Sequence, residues 1–184
     1  TGYDIDNSLR FNDDDSAYLS RTPSSAGNRK TWTWSGWVKR ATINASAHQV
    51  MFGCGVAGTA STRDALRIDS SGILVFLLGE AANALLVTTQ LFRDPSAWYH
   101  VILAMDTTQA TASDRTKIYV NGSQVTAFDT ANYPALNLDT GYNSAISHQI
   151  GARQGTSIFE FQDGYMAEVN FVDGQALTPS DFGE

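Results

Sequence analysis

Cysteine is almost absent. Cys54 stands alone in 184 residues, so no internal disulfide can form and no cysteine-based zinc site can be built. Set in Phe52-Gly53-Cys54-Gly55, it reads as a small buried apolar residue. Lysine is scarce as well (Lys30, Lys39 and Lys117), the formal net charge is −7, and no basic run occurs. That balance excludes an electrostatic face for nucleic acid and disfavours binding to an anionic membrane. No apolar run reaches the 18 residues of a membrane-spanning helix, and no secretory leader pattern is present. The longest runs, such as Ile73 to Gly79, have the length of a strand.

Convincing amphipathic helices are missing too. The nearest composition, Glu80 to Leu86, is short and uncapped and reads as a hairpin connection. What the chain has instead is turn chemistry: fifteen glycines against four prolines, with Asn, Asp, Ser and Thr between short apolar runs. Thr31 to Arg40 alternates with period 2, placing Trp32, Trp34, Gly36 and Val38 on one face and Thr33, Ser35 and Trp37 on the other. Trp98 to Met105 is a dense apolar strand. Asn121-Gly122 separates Thr116–Val120 from Ser123 onward, the signature of a two-residue type I′ hairpin; Val120 should face Ser123, and Ile118 should face Val125.

Further strands are expected at Ser8 to Phe11, Ala17 to Arg21, His48 to Gly53, Ala65 to Asp69, Ile73 to Leu78, Leu85 to Thr89, His148 to Ala152 and Tyr165 to Val172. In the last, strict alternation puts Met166, Glu168 and Asn170 opposite Ala167, Val169 and Phe171. Residues 129–149 read as a long polar loop, and Leu177 to Phe182 as a Thr-Pro turn or one helical turn. About a dozen short strands without helices or a fixed repeat imply one all-β domain, a two-sheet antiparallel sandwich spanning residues 1–184. The start at Thr1 and the end at Glu184 suggest a segment of a longer protein.

Several stretches, in order, carry a resemblance: Ser8-Leu9-Arg10-Phe11, Trp34-Ser35-Gly36-Trp37-Val38, Trp98-Tyr99-His100-Val101, Ile118-Tyr119-Val120-Asn121-Gly122, Ile150-Gly151, Asp163-Gly164-Tyr165-Met166-Ala167-Glu168-Val169 and Ala176-Leu177-Thr178. Together they resemble the concanavalin A-like, laminin-G-like jelly-roll family. The wording of residues 92–99 and 169–177 further resembles copies in structural proteins of marine tailed bacteriophages. The resemblance implies two face-to-face antiparallel sheets, sugar or protein binding at loops or on a sheet face, and often a Ca²⁺. It also implies a virion-surface setting as part of a fibre or decoration. The partners would be host-surface glycans or neighbouring virion subunits, in a homo-oligomer of three or more copies.

Glycoside hydrolases of this fold need paired carboxylates flanking a scissile bond. The four glutamates, Glu80, Glu160, Glu168 and Glu184, have no acidic neighbour two positions away, so the enzymatic motif is absent and no catalytic residue is assigned. A glycan depolymerase with a non-standard acid pair, or a spacer without ligand, are the alternatives to a binding module. His100 lies in an apolar strand and reads as a hydrogen-bonded interior histidine, and His48 and His148 are too scattered for a metal site. Calcium ligands, if any, would be Asn12, Asp13, Asp14 and Asp15 with Asp163 as a distal partner. Sugar contacts would come from Tyr133, Tyr142, Asn143 and Phe159, aromatic faces and an amide in or near loops. Asn44-Ala45-Ser46 and Asn121-Gly122-Ser123 match the glycosylation sequon, but the second sits in a tight turn and neither is expected to be modified.

Overall fold

A computed structural model describes residues 6–43 and 47–183. The sequon at Asn44 lies outside the described residues, as does Glu184. Fifteen strands occur among the described residues: β1 Leu9–Phe11, β2 Leu19–Arg21, β3 Thr31–Arg40, β4 Gln49–Val56, β5 Thr59–Ile68, β6 Ile73–Leu78, β7 Ala84–Leu91, β8 Tyr99–Asp106, β9 Thr116–Val120, β10 Ser123–Gln124, β11 Phe128–Asn132, β12 Ser147–Ile150, β13 Arg153–Gln154, β14 Ile158–Phe159 and β15 Gly164–Asp173. Two 3₁₀ turns, Ala112–Asp114 and Pro179–Phe182, are the only helical pieces described. The second is closed by a capping box between Thr178 and Asp181.

The strands form two large antiparallel sheets and a small ribbon. One sheet has six strands in the order β1-β15-β3-β8-β9-β10; the other has seven, β11-β7-β6-β5-β4-β12-β2; β13 pairs with β14. This is the jelly-roll sandwich expected from the turn-punctuated pattern. Its core is filled from both inner faces: Trp32, Trp34, Val38, Leu103 and Ile118 from the six-stranded sheet meet Met51, Phe52, Cys54, Leu66 and Phe76 from the seven-stranded one. Trp32 and Trp34 are fully buried. At about 25 cal/mol per Å² over the roughly 150–250 Å² an aromatic buries, each contributes about 4–6 kcal/mol of transfer free energy as an upper bound.

The Asn121-Gly122 hairpin forms as expected. Both residues take positive φ, 48° and 77°, Val120 pairs with Ser123, and the Val125 amide donates to the Ile118 carbonyl at 2.8 Å. The Asn121 side chain then accepts from the His100 amide at 2.8 Å, tying the hairpin to β8. His100 is interior, 2.8 Å from the Ser35 hydroxyl and stacked on Trp37 at 4.8 Å between ring centroids. Residues 79–83 form a turn with Glu80 and Ala81 at positive φ, so the first half of the helix-like stretch is a hairpin connection, while β7 already begins at Ala84.

Three local features bear on the site. First, β1 and β2, close in sequence and joined by the acidic turn, belong to different sheets. Second, residues 128–132 are a strand on β7, which shortens the long loop to 133–146. Phe-Asp-Thr-Ala-Asn shows no alternation because β11 is an irregular edge strand, with a register shift after Phe128. Third, alternation in β15 breaks at a bulge. The register against β3 shifts between Ala167 and Asn170, and Glu168 has φ 49°. Met166 pairs with Val38 and Phe171 with Trp34, so Met166 and Phe171 share the inner face, not opposite faces.

Candidate functional site

The bulge in β15 aims Phe171 and Asp173 at a groove on the side of the sandwich. About 570 Å³ in volume, the groove runs between β2 with the segment after it, the inner side of β12, and the end of β15. Leu19, Pro23 and Ala26 supply apolar wall, and Phe52, Ile150 and Phe171 line it further. Phe171 remains 38% exposed, so a large part of its ring is available. Its other face is supported: it stacks on Trp32 at 5.5 Å and leans on Phe52 at 5.7 Å.

A polar clasp holds the groove's outer wall. Asp173 Oδ1 accepts from the Asn28 amide at 2.8 Å and from Asn143 Nδ2 at 2.6 Å. Asn143 Nδ2 also donates to the Asn28 carbonyl at 3.0 Å, and the Gly27 amide donates to the Asn143 carbonyl at 2.9 Å. With the Asn143 amide nitrogen spent on two acceptors, its side-chain oxygen and Asp173 Oδ2 keep acceptor capacity. Asn143 adopts φ 60°, a conformation asparagine tolerates. Gly27 is required by close approach: a Cβ there would lie 2.5 Å from Asn143 Nδ2 and 2.6 Å from Asp173 Oδ2.

His148 locks the same loop from below. Its Nε2 accepts the Asn143 amide at 3.1 Å, so the neutral ring carries its proton on Nδ1 and donates to the Ile146 carbonyl at 2.8 Å. Burial, the largest influence, and the Arg21 guanidinium hold His148 below the usual histidine range, against the opposing pull of the Ile146 carbonyl.

A smaller cavity of about 210 Å³ lies elsewhere, lined by Asp64, Asn83, Leu138, Asp139 and Gly141 among others. Asp64 is buried, and burial pushes its carboxyl up to about 6, against the pull of amides from Gly79, Gly141 and Tyr142 and of the Cys54 thiol. Its oxygens accept from the Gly79 amide at 2.8 Å and the Gly141 amide at 2.7 Å, which tie two turns together. Burial also raises the Cys54 thiol well above its ordinary value.

The residues expected from sequence scatter. Asn143 lies in the groove. Tyr142 does not: its ring is fully buried, 4.7 Å from Phe52 and stacked on it, with its hydroxyl donating to the Phe52 carbonyl at 2.9 Å. The loop folds inward at that position, so Tyr142 supports the groove and cannot meet a ligand. Tyr133 is half-buried and packs against the core. Phe159 lies in the β13–β14 ribbon beneath the Arg153 guanidinium, 4.6 Å from the ring centroid. The turn Asn12 to Asp15 closes on itself through Asn12 Nδ2 to Asp15 Oδ2 at 2.6 Å. Asp163 is buried and bonded by the Thr42 hydroxyl. Among the described residues no three His, Cys, Asp or Glu side chains are gathered into one group.

One arrangement escaped the sequence entirely. Glu80 and Glu160, eighty residues apart, share Arg153: one guanidinium nitrogen lies 3.1 Å from Glu80 Oε1 and 3.2 Å from Glu160 Oε1. Arg63 reaches Glu80 at 3.6 Å and Arg67 reaches Glu160 at 3.1 Å. Arg153 Nε approaches Glu160 Oε2 at 2.7 Å as an ion pair, not aligned as a hydrogen bond. One guanidinium thus bridges the two carboxylates and is bonded to both.

Two twisted antiparallel sheets packed face to face, with an amphipathic groove along one side, define a jelly-roll β-sandwich of lectin type. Residues 12–181 match the laminin G-like sequence profile of the concanavalin A-like lectin/glucanases superfamily, and the chain belongs to that superfamily. No curated protein sequence is similar enough to count as a relative. Among solved structures, the carbohydrate-binding module CBM40 of the Ruminococcus gnavus IT-sialidase, bound to α2,3-sialyllactose, is 14% identical, with 97% of this chain and 96% of that one covered at a TM-score of 0.61. The heptameric SAP-like pentraxin of Limulus polyphemus is 18% identical over 89% of this chain and 72% of that one, with a TM-score of 0.60. Domains LG4-5 of the mouse laminin α1 chain are 12% identical over 85% of this chain and 38% of that one, with a TM-score of 0.57. At these identities the likeness is one of fold.

Proposed function

We propose that this domain is a non-catalytic carbohydrate-binding module that uses the groove between β2, β12 and the end of β15. The observation that carries the reading is the pairing of Phe171, its ring partly open and backed by Trp32, with the free acceptor oxygens of Asn143 and Asp173. A pyranose offers an apolar face to such a ring and hydroxyls to such acceptors. The superfamily and the sialyllactose-bound module of the same fold support the ligand class. The engagement of Glu80 and Glu160 by three arginines supports the non-catalytic part.

The setting we propose is the surface of a bacteriophage particle, as a fibre or decoration module in a homo-oligomer that contacts host glycans or neighbouring subunits. Support for it is the wording of residues 92–99 and 169–177 described above. The test is a glycan array probed with the pure domain and with Phe171→Ala. Binding to a defined set of glycans, lost in the variant, is expected. Release of reducing ends from a bound polysaccharide, abolished by Glu160→Gln, would replace this reading with a depolymerase. Light scattering in solution reads the number of copies; a monomer at all concentrations would remove the homo-oligomer.

A further inference from the structure

Twelve cationic side chains serve a chain of net charge −7, and most are committed. Arg63, Arg67 and Arg153 hold Glu80 and Glu160. Arg29, Arg40, Arg93 and Arg115 donate to carbonyl oxygens of loops. Lys117 pairs with Asp114, and Arg10 lies over Tyr165. Among the described residues three cations have no partner of this kind: Arg21, Lys30 and Lys39. Only Arg21 lines the groove.

Arg21 is the last residue of β2, the outermost strand of its sheet, and is exposed. It pairs in register with His148, whose ring it influences electrostatically. The groove therefore holds a cation, Arg21, beside the acceptors of Asn143 and Asp173. A neutral sugar uses the acceptors and leaves the cation unused. A sugar carrying a carboxylate uses both: a planar guanidinium meets a carboxylate through two parallel N–H bonds, geometry a lysine does not offer.

Resting on the carbohydrate reading of this groove, we propose that its ligand is an acidic glycan, with the sugar carboxylate on Arg21 and ring hydroxyls on Asn143 and Asp173. The chain's net negative charge repels such a ligand at a distance. Selectivity must then come from this one contact, and it disappears when Arg21 is neutralised. The bland alternative is a solvated edge-strand arginine that only discourages strand pairing.

The experiment compares matched pairs: α2,3-sialyllactose with lactose, and a galacturonate trisaccharide with the corresponding galactose trisaccharide. Each is titrated calorimetrically into the wild-type domain, Arg21→Gln and the control Lys39→Gln. The expected result is a preference for at least one acidic member of roughly ten- to hundredfold, the worth of a charge-assisted hydrogen bond. It should be lost in Arg21→Gln and kept in Lys39→Gln. Because Arg21 is exposed, the variant keeps its fold, checked by an unchanged unfolding midpoint. Equal affinity for both members of each pair, or an acidic preference that survives Arg21→Gln, overturns the proposal but leaves the carbohydrate reading standing. Absence of binding to all four sugars and to every member of a broader acidic and neutral array overturns both.

Discussion

Replacing Asp64 by asparagine isolates the cost of one buried charge. Its carboxyl is raised from 3.8 to about 6 by burial, and it sits inside the sandwich between Cys54 and the turns at Gly79 and Gly141. The sign follows from linkage: a folded-state value above the unfolded one means that the native state holds the proton more tightly. Stability from this group is fully present below about pH 3.8 and is lost as the pH rises through about 6. A shift of about 2 units at 1.36 kcal/mol each gives roughly 3 kcal/mol across that window. Asparagine keeps one carbonyl oxygen but turns an NH₂ toward the other amide, a cost of about 1–3 kcal/mol that does not vary with pH. The assay is urea unfolding followed by the fluorescence of the fully buried Trp32 and Trp34, at intervals from pH 4 to 8. Wild-type stability minus that of Asp64→Asn should fall by up to about 3 kcal/mol between the ends of the window and then level off. A difference that stays flat, or rises with pH, would refute the argument that burial outweighs the amide bonds at this carboxylate.

Phe52→Ala should cost about 3–5 kcal/mol in the same unfolding assay, because the ring lies between Trp34, Tyr142 and Phe171 and its loss leaves a cavity; a cost under about 1 kcal/mol would contradict its place in the core. Gly27→Ala should weaken glycan binding at least about tenfold by pushing apart Asn143 and Asp173, at a stability cost of no more than about 1–3 kcal/mol. Unchanged affinity would show that the clasp does not shape the groove. Followed by NMR, His148 should titrate below 6.5, with its neutral ring's contribution to stability present above pH 6.5 and lost as the pH falls through the lower folded value. A titration midpoint above 6.5 would mean that burial and the Arg21 guanidinium do not hold the ring neutral.

The sandwich was legible because strand pattern and turn chemistry are local. The period of 2 in Thr31 to Arg40 and the Asn121-Gly122 turn each specify backbone geometry within ten residues, and both formed as read. The groove was not legible, since its walls come from residues 19–27, 52, 143, 148–150 and 171–173 and meet only when two sheets close. Asn143 was found because an asparagine in a polar loop is a ligand candidate in its own right. Phe171 and Asp173 were hidden by the bulge at Glu168, which reverses the faces of β15 relative to strict alternation. Tyr142 was misplaced because a tyrosine in a loop carries no local sign of whether its ring turns in or out. The Glu80–Arg153–Glu160 network joins three distant segments, and counting acidic neighbours along the chain cannot reveal it.

The measurement closest to the central claim is an NMR titration of the labelled domain with the best ligand from the glycan array, read as amide shifts along the chain. Binding in the groove predicts shifts concentrated in residues 19–27, 143, 148–150 and 171–173, with the sugar recovered intact at the end. Shifts confined to the Arg153 and Phe159 ribbon or to the turn at Asn12 to Asp15, or a cleaved sugar in the tube, would contradict it.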